Sequence, residues 1–296
     1  MADVSVLTPS RNYGRFIEDA VESVARQDGV SVEHIVQDAA SGDETVDILR
    51  RSSHSIDWRS EADGGQSNAL NRALSRASSK WIAWLNADEF YLDGALLHLI
   101  RIAERMNADV VYGDCAVVDV EGSLLRLLPE HRFSARVLKE YGCYISSACT
   151  LFRRSALGES PWDESVRRVM DWDLFMRLTA QEAKFVHTAW PVAAFRLHES
   201  QVTAAPHSAF HAENAIVTAR YGRPADPVER WKASRAGRVL HRVYKAYDGA
   251  YVRQWRGRKL RGLDLRWFRG DDHRSSTEAL VRGCYRGVGS RASART

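Results

Sequence analysis

The residues best suited to chemistry in this chain are polar and acidic groups set where short apolar runs stop. Thr8 ends Val4-Ser5-Val6-Leu7, and Asp38 ends His34-Ile35-Val36-Gln37. Asp63 follows Ile56-Asp57-Trp58-Arg59-Ser60, and Asp88 follows Trp81-Ile82-Ala83-Trp84-Leu85. Gly64 and Gly65, next to Asp63, carry no Cβ and let a backbone come close to a ligand. Asp171 opens Asp171-Trp172-Asp173-Leu174 at the start of a helical pattern. The positive end of a helix dipole favours an ionised carboxylate there, and such a group can take the proton of an attacking hydroxyl. Each residue also has a plainer role. Asp38 can cap a turn, Asp63-Gly64-Gly65 can simply be one, and Asp171 can be an N-cap with Asp173 in the first turn.

The elements that must position these groups alternate. The apolar runs at 4–8, 34–38, 56–60 and 81–85 read as buried strands. Between them, Ile17, Val21 and Val24, then Val46, Ile48 and Leu49, then Ala69, Leu70, Ala73 and Leu74 fall at helical spacing. Strand–helix alternation predicts an α/β fold, a Rossmann-like and mostly parallel sheet with helices on both faces. Ligands of such sheets bind outside the carboxyl ends of the strands, where the four polar residues sit. Further on, 109–114 reads as a strand, 116–120 with Gly122 as a hairpin, 146–153 as another strand, and 171–178 as the start of a helix.

In this order and with these separations, the chain over about residues 4–200 resembles glycosyltransferase family 2, which has the GT-A fold. The resemblance is carried by Leu7-Thr8-Pro9-Ser10-Arg11-Asn12, Val36-Gln37-Asp38 through Thr45, Ser60-Glu61-Ala62-Asp63-Gly64-Gly65, Ala69-Leu70-Asn71, Trp84-Leu85-Asn86-Ala87-Asp88, Asp171-Trp172-Asp173-Leu174 and Phe195-Arg196-Leu197-His198. It implies an inverting transfer of a sugar from a nucleoside-diphosphate sugar, UDP- or dTDP-linked, to a hydroxyl of a glycan or lipid-linked acceptor. Asp38 would accept the imino N–H of the base, with Thr8, Pro9 and Asn12 flanking it. Asp63 would meet the ribose or donor sugar, with Asn68 and Asn86 on the same donor side. Asn86-Ala87-Asp88 stands where the family has Asp-x-Asp, whose carboxylates hold Mg²⁺ or Mn²⁺ through oxygen ligands. Here the first acid is an amide, which weakens the site, while Glu89 is adjacent and His198 can add a nitrogen ligand. Asp171 takes the position of the general base. Tyr144, Trp162, Arg167 and Arg168 can shape an acceptor pocket, although most such aromatics are core. A nucleotidyltransferase is the neighbouring enzymatic reading, opposed by the lack of a Gly-rich phosphate loop near the N-terminus. A non-catalytic sugar-nucleotide binder is the reading that Asn86 allows.

Composition sets the surroundings. With 296 residues, 45% of them hydrophobic and 27% charged, the chain can bury a core as soluble globular proteins do. No apolar stretch reaches the roughly 18–20 residues of a membrane span, and Met1–Leu7 has no basic n-region, so a cytoplasmic location is expected. Cys115, Cys143, Cys149 and Cys284 lack metal-ligand spacing and read as reduced thiols. The net charge of +4 conceals an asymmetry, because residues 220–296 carry 20 Lys+Arg against 7 Asp+Glu and residues 1–219 carry 22 against 31. A boundary is therefore expected near 220, with Pro224 and Pro227 beyond it. It divides a transferase domain (1–219, donor half 1–114, acceptor half 115–219) from a basic helical extension (220–296) whose Gly-, Ser- and Arg-rich end reads as disordered. Val239, Leu240, Val243, Tyr244, Tyr247, Tyr251 and Trp255 recur at helical spacing beside arginines. That stripe can lie in an anionic membrane interface at the inner face of the cell membrane or pack on the domain. No nucleic-acid-binding fold or motif is present, so no nucleic-acid partner is expected.

Overall fold

A computed structural model describes residues 2–201, 208–222, 226–266 and 273–285. The expected order opens it: β1 (Val4–Ser10), α1 (Gly14–Ala25), β2 (Val32–Asp38), α2 (Thr45–Arg51), β3 (Ile56–Ser60), α3 (Gln66–Arg76) and β4 (Trp81–Trp84). Then come β5 (Phe90–Tyr91), α4 (Ala95–Met106), β6 (Val110–Val118), β7 (Leu124–Leu128), α5 (Ala135–Glu140), β8 (Thr150–Arg153), α6 (Arg154–Leu157), α7 (Met170–Ala180) and β9 (Phe185–Arg196). Among the described residues the α-helices α8 (Ser208–Arg220), α9 (Pro227–Tyr247), α10 (Ala250–Gly257) and α11 (His273–Cys284) follow. One sheet runs in the order β3-β2-β1-β4-β8-β6-β9-β5, with β7 paired to β6. β1, β2, β3 and β4 are mutually parallel, and β6 is parallel to β9, whereas β8, β5 and β7 are antiparallel to their neighbours. The sheet is mostly parallel, as the alternation predicted.

Period-2 alternation explains why helices cover both faces. Leu7, Ile35, Ile82 and Trp84 point to a cluster with Leu70, Ala73 and Leu74 of α3 and Leu174, Phe175 and Leu178 of α7. Val4, Val6, Trp81 and Ala83 point the other way, onto Ala20 and Val24 of α1 and Leu96, Leu99 and Ala103 of α4. Every residue of β1 is buried, the signature of a strand covered on both sides.

The second half departs from the sequence reading in two places. The runs at 109–114 and 116–120 are one continuous strand, β6, and the hairpin at Gly122 joins it to β7. Gly113 carries the chain through because a Cβ there would lie 2.6 Å from the Trp190 carbonyl oxygen. The predicted strand at 146–153 is shorter. Its first half is a 3₁₀ turn at Ser147–Cys149, closed by the Ser146 carbonyl, which accepts Cys149 N–H at 3.1 Å and the Thr150 hydroxyl at 2.8 Å.

The basic helices are fastened to the sheet. On α9, Leu240 and Tyr244 join the core cluster that includes Val137 and Leu138 of α5. Gly237 allows that approach, since a Cβ would lie 2.8 Å from the backbone nitrogen of Tyr141. Asp114 on β6 accepts from Arg253 Nε of α10 at 2.8 Å, from His187 Nε2 at 3.0 Å and from Glu130 N–H at 2.9 Å. Both Asp114 and Arg253 are fully buried. Burial alone would raise the Asp114 pKa, but the His187 hydrogen bond and the Arg253 charge outweigh it and hold it below the ordinary carboxylate range. Residues Pro224 and 286–296, invoked for the boundary and the tail, lie outside the described residues. Among the described residues no helix is long and apolar enough to cross a membrane. Arg253→Met is expected to cost about 3–5 kcal/mol of stability in urea titration, because it strands a buried carboxylate. An unchanged midpoint would show that the pair is not what joins α10 to the sheet.

Candidate active site

The loops after β1 and β2 form one hydrogen-bonded cradle. Asn12 N–H donates to Ser41 Oγ at 2.7 Å, and Asn12 Oδ1 accepts Gly42 N–H at 2.9 Å. Tyr13 N–H donates to Thr45 Oγ1 at 3.1 Å, and Gly14 N–H to Asp43 Oδ2 at 2.9 Å. Asn12 adopts a φ of 57°, a left-handed conformation that asparagine tolerates better than most side chains. The Asn12 amide oxygen therefore serves the cradle. The Thr8 hydroxyl turns inward to His34 Nε2 at 3.0 Å, and β1 runs on through Thr8 and buried Pro9 to Ser10, beyond the end the sequence reading gave it because parallel pairing with β2 continues to Asp38.

Asp38 is fully buried, and its carboxylate accepts Ser41 N–H at 2.9 Å, the Ser41 hydroxyl, and the Ser60 hydroxyl at 2.6 Å. Its turn-capping role is thus realised, and the Ser60 bond ties the end of β2 to that of β3. Asp63 Oδ1 accepts Gly65 N–H at 2.8 Å, while Oδ2 is buried without a partner. Burial lifts the Asp63 pKa; the Gly65 hydrogen bond and the nearby Arg72 and Arg11 charges pull against that. An orphaned carboxylate oxygen at a glycine turn is a place for a ligand hydroxyl to donate. Asn68 does not stand open in the same way. Its Oδ1 accepts Gly64 N–H at 3.2 Å and its Nδ2 donates to Glu164 at 3.0 Å. With Asn71, which exchanges bonds with both backbone groups of Trp162, and Ser67, which donates to the Val166 carbonyl at 3.0 Å, Asn68 braces α3 against the loop before α7.

After β4 the chain enters the Asn86–Glu89 turn. Asn86 Oδ1 accepts from Gln66 Nε2 at 2.7 Å and Trp84 Nε1 at 2.8 Å. Those two donors use the lone pairs that a cation would need, so Asn86 supports the turn rather than offering a ligand. Asp88 Oδ2 lies 2.9 Å from His198 Nε2, which brings the two expected ligands together across 110 residues. The His198 ring packs on Phe16 with centroids 4.7 Å apart and meets Tyr13 edge-on. Glu89 is buried against Asp88, and burial followed by the Asp88 charge pushes its pKa well above the ordinary range. Burial and the charges of Asp88 and Glu89 likewise raise the Tyr13 phenol. Arg196, almost wholly buried, donates to the Asp88 carbonyl at 3.1 Å, to the Val120 carbonyl at 2.6 Å and to Asp19 of α1. One guanidinium thus holds the acid's turn to two other elements. A cleft of about 790 Å³ opens alongside, lined in part by Asn12, Tyr13, Phe16, Glu44 and His198.

Asp171 sits in the first turn of α7, one residue after its first, and the cap position itself is Val169. Its Oδ1 accepts Trp172 N–H at 2.7 Å. The helix dipole leads one to expect an ordinary, ionised aspartate. Instead, surrounding protein raises its pKa, against the Trp172 and Cys143 hydrogen bonds that favour the charged form. The loop entering α7 is gripped by Glu213 of α8, whose Oε2 accepts Arg167, Arg168 and Val169 N–H at 3.0, 2.6 and 3.3 Å. Trp172 Nε1 donates to the Leu138 carbonyl at 2.9 Å, fixing the same turn from the other side. Asp173 pairs with Arg220 at 3.0 Å. Tyr144 and Trp162 are buried core residues, and Arg168 pairs with Glu213.

Sequence reasoning missed Arg196, Glu213 and His34 as supports, although Arg196 stood inside a quoted motif. It also missed a second group of potential ligands. Among the described residues, Glu130, His131 and His241 bring ligand atoms within 4.8 Å of one another. Burial lowers His131 to about 4 and His241 to about 3, so both are neutral near pH 7. His131 Nε2 lies 2.8 Å from His241 Nδ1, while Lys245 Nζ lies 3.2 Å from Glu130. The lysine's charge opposes a cation there, and the group fastens α9 to the segment after β7.

Comparison with known proteins bears on the family and the fold. The family described as Glycosyl transferase family 2 matches residues 5–160, more than half of the chain. An uncharacterised glycosyltransferase of Rickettsia typhi is 27% identical over 214 residues, covering 68% of this chain and 65% of that protein. The chain thus spans just under two thirds of that relative's length. A PGL/p-HBAD biosynthesis glycosyltransferase of Mycobacterium tuberculosis is 26% identical over 186 residues, 60% of this chain and 70% of the relative. Among solved structures, S. aureus TarS 1–349 in complex with UDP-GlcNAc has a TM-score of 0.60 at 15% identity, covering 78% of this chain and 70% of that one. The mannosyltransferase PcManGT from Pyrobaculum calidifontis, in complex with GDP-Man and Mn²⁺, has a TM-score of 0.52 at 16% identity, with 83% of each chain covered. At such identities the structures establish the fold, GT-A, and nothing finer.

The Thr8–His34 contact carries a pH signature. Burial holds His34 near a pKa of about 3, so its neutral ring stabilises the fold fully above pH 6.5. That contribution is lost as pH falls toward 3, at about 1.4 kcal/mol per pH unit. His34→Gln cannot titrate, so its stability deficit at pH 7 should shrink steadily below pH 6.5 in urea titrations. A pH-independent deficit would mean that folding does not shift the His34 pKa.

Proposed function

The chain belongs to glycosyl transferase family 2, and from that premise we propose that it moves a sugar from a nucleoside-diphosphate sugar to an acceptor hydroxyl with inversion at the anomeric carbon. The observation that carries the reading is the placement of Asp38, Asp63 and the Asp88–His198 pair at and just beyond the ends of β2, β3 and β4, three of the four parallel strands in the order β3-β2-β1-β4. In this reading Asp38 accepts the imino N–H of uracil or thymine with the carboxylate capacity that Ser41 and Ser60 leave, and the Thr8-Pro9 backbone flanks the base. The orphaned Oδ2 of Asp63 receives a ribose or sugar hydroxyl. Asn12 and Asn68 act behind these groups, one as part of the cradle and the other as a brace. The UDP-GlcNAc held by TarS and the GDP-Man held by the mannosyltransferase support a nucleotide-sugar donor.

Asp88 and His198 fit a divalent cation as one carboxylate and one imidazole already facing each other, with Asn86 outside the ligand set. When bound there, Mg²⁺ or Mn²⁺ supplies charge stabilisation to the departing diphosphate. Asp171 supplies the other half of the chemistry. Its carboxylate takes the acceptor hydroxyl's proton as that oxygen bonds to the anomeric carbon, and the bond to the diphosphate breaks on the opposite face with its electron pair. The raised pKa of Asp171 makes its carboxylate a stronger base than a solvated aspartate. The acceptor in this reading is a glycan or a lipid-linked sugar presented at the cytoplasmic leaflet.

Asp171→Asn should lower kcat by about 10²–10⁴ and leave the nucleotide Kd unchanged; transfer at the wild-type rate would eliminate Asp171 as the base. Protonated Asp171 cannot accept a proton, so the acid limb of kcat/KM should rise with pH through a value above the ordinary 3.8 of aspartate. A limb at or below 3.8 contradicts the assignment. Asp88→Ala should remove the Mn²⁺ dependence of nucleotide binding. Persistence of that dependence would place the cation elsewhere.

A further inference from the structure

The apolar stripe of the basic region divides into two faces, and only one of them is covered. Leu240, His241 and Tyr244 of α9 turn inward. Trp231, Val239, Val243 and Tyr247 stay 57, 55, 54 and 71% exposed, and Val228 is exposed as well. At about 100° per residue, Val228, Val239, Val243 and Tyr247 fall along one strip of the helix. Arg235, Arg238 and Arg242, all exposed, fall along the adjacent strip, with Trp231 among them and its ring under the Arg235 guanidinium at 5.3 Å. Over Val228–Trp255 the only acids are Glu229 and Asp248, and these pair with Lys232 and Arg132. α10 continues the pattern with exposed Tyr251, Val252 and Trp255, the last beneath Lys259 Nζ at 4.9 Å.

We propose that the outward face of α9 docks on an anionic lipid surface, its valines and aromatics entering the headgroup boundary while the arginine strip meets lipid phosphates. The chemistry on the page selects this occupant. A purely electrostatic partner such as a nucleic acid has no use for exposed valines beside the arginines, whereas an interface helix requires both strips. A second copy of this chain would have to bring its own arginine strip against the first. With 21 residues, α9 presents a face about 30 Å long, enough to lie flat and too polar to insert. The inference stands apart from the donor and base assignments, since no α9 residue belongs to them.

The test is sedimentation of the full chain with phosphatidylcholine vesicles, with and without phosphatidylglycerol. The wild type should pellet with the anionic vesicles and be released by high salt. The triple change Arg235→Gln, Arg238→Gln, Arg242→Gln should weaken partitioning about a hundredfold. Val239→Ser with Val243→Ser should also weaken it, with thermal unfolding and nucleotide binding kept; if that variant loses its fold, Tyr247→Ser alone makes the same test. Wild type left in the supernatant, or equal pelleting of all variants, overturns the proposal. So does a vesicle-free dimer that the valine changes dissociate, or RNA binding as tight as vesicle binding and indifferent to those changes.

Discussion

A strand buried on both faces leaves no room for unpaired polar groups along its length, and β1 is such a strand. Its internal polar side chains are therefore paired within the fold, Ser5 with Glu33 and Thr8 with His34, and a ligand can be met only where the strand ends. The same constraint acts on β2 and β4, its parallel neighbours. Parallel pairing aligns their carboxyl ends, so three loops open on one side of the sheet. The cradle between the β1 and β2 loops, the Ser60–Asp38 tie and the Arg196 clamp on the Asp88 turn are what keep those loops in register.

The acidic groups are not equivalent once folded. Asp38 already accepts two hydroxyls and a backbone N–H, whereas Asp63 keeps a buried oxygen without a partner. Glu89 is driven toward its neutral form beside Asp88, since two adjacent buried carboxyls do not both ionise readily. Asp171 is raised by burial on a different element, α7, whose entry is fixed by Glu213 and Trp172. α3 and the loop entering α7 are joined by Ser67, Asn68 and Asn71. Through that brace a change at α3 reaches the loop before Asp171.

The sequence made the first four strands and their terminal acids legible, because apolar runs of strand length end in polar and glycine punctuation. It also paired Asp88 with His198 by motif, and that pairing is the contact found. Distance in sequence hid the rest. Arg196 reaches Asp88 across 108 residues and Glu213 reaches Arg168 across 45, and no local pattern announces such partners. Helix-end reasoning gave Asp171 a dipole but could not weigh its burial. Periodicity marked a wide stripe on α9 without telling which half faces the core; in the fold Leu240 and Tyr244 do, while Val239, Val243 and Tyr247 stay exposed.

The central claim is that these strand ends bind a nucleoside diphosphate with a divalent cation. Calorimetric titration with UDP, dTDP and GDP, each with and without Mn²⁺, tests it most directly. Saturable binding of UDP or dTDP is expected, strengthened by Mn²⁺ and weakened by Asp63→Ala and by Asp88→Ala. No binding of any of the three nucleotides, or binding that both substitutions leave untouched, would contradict it.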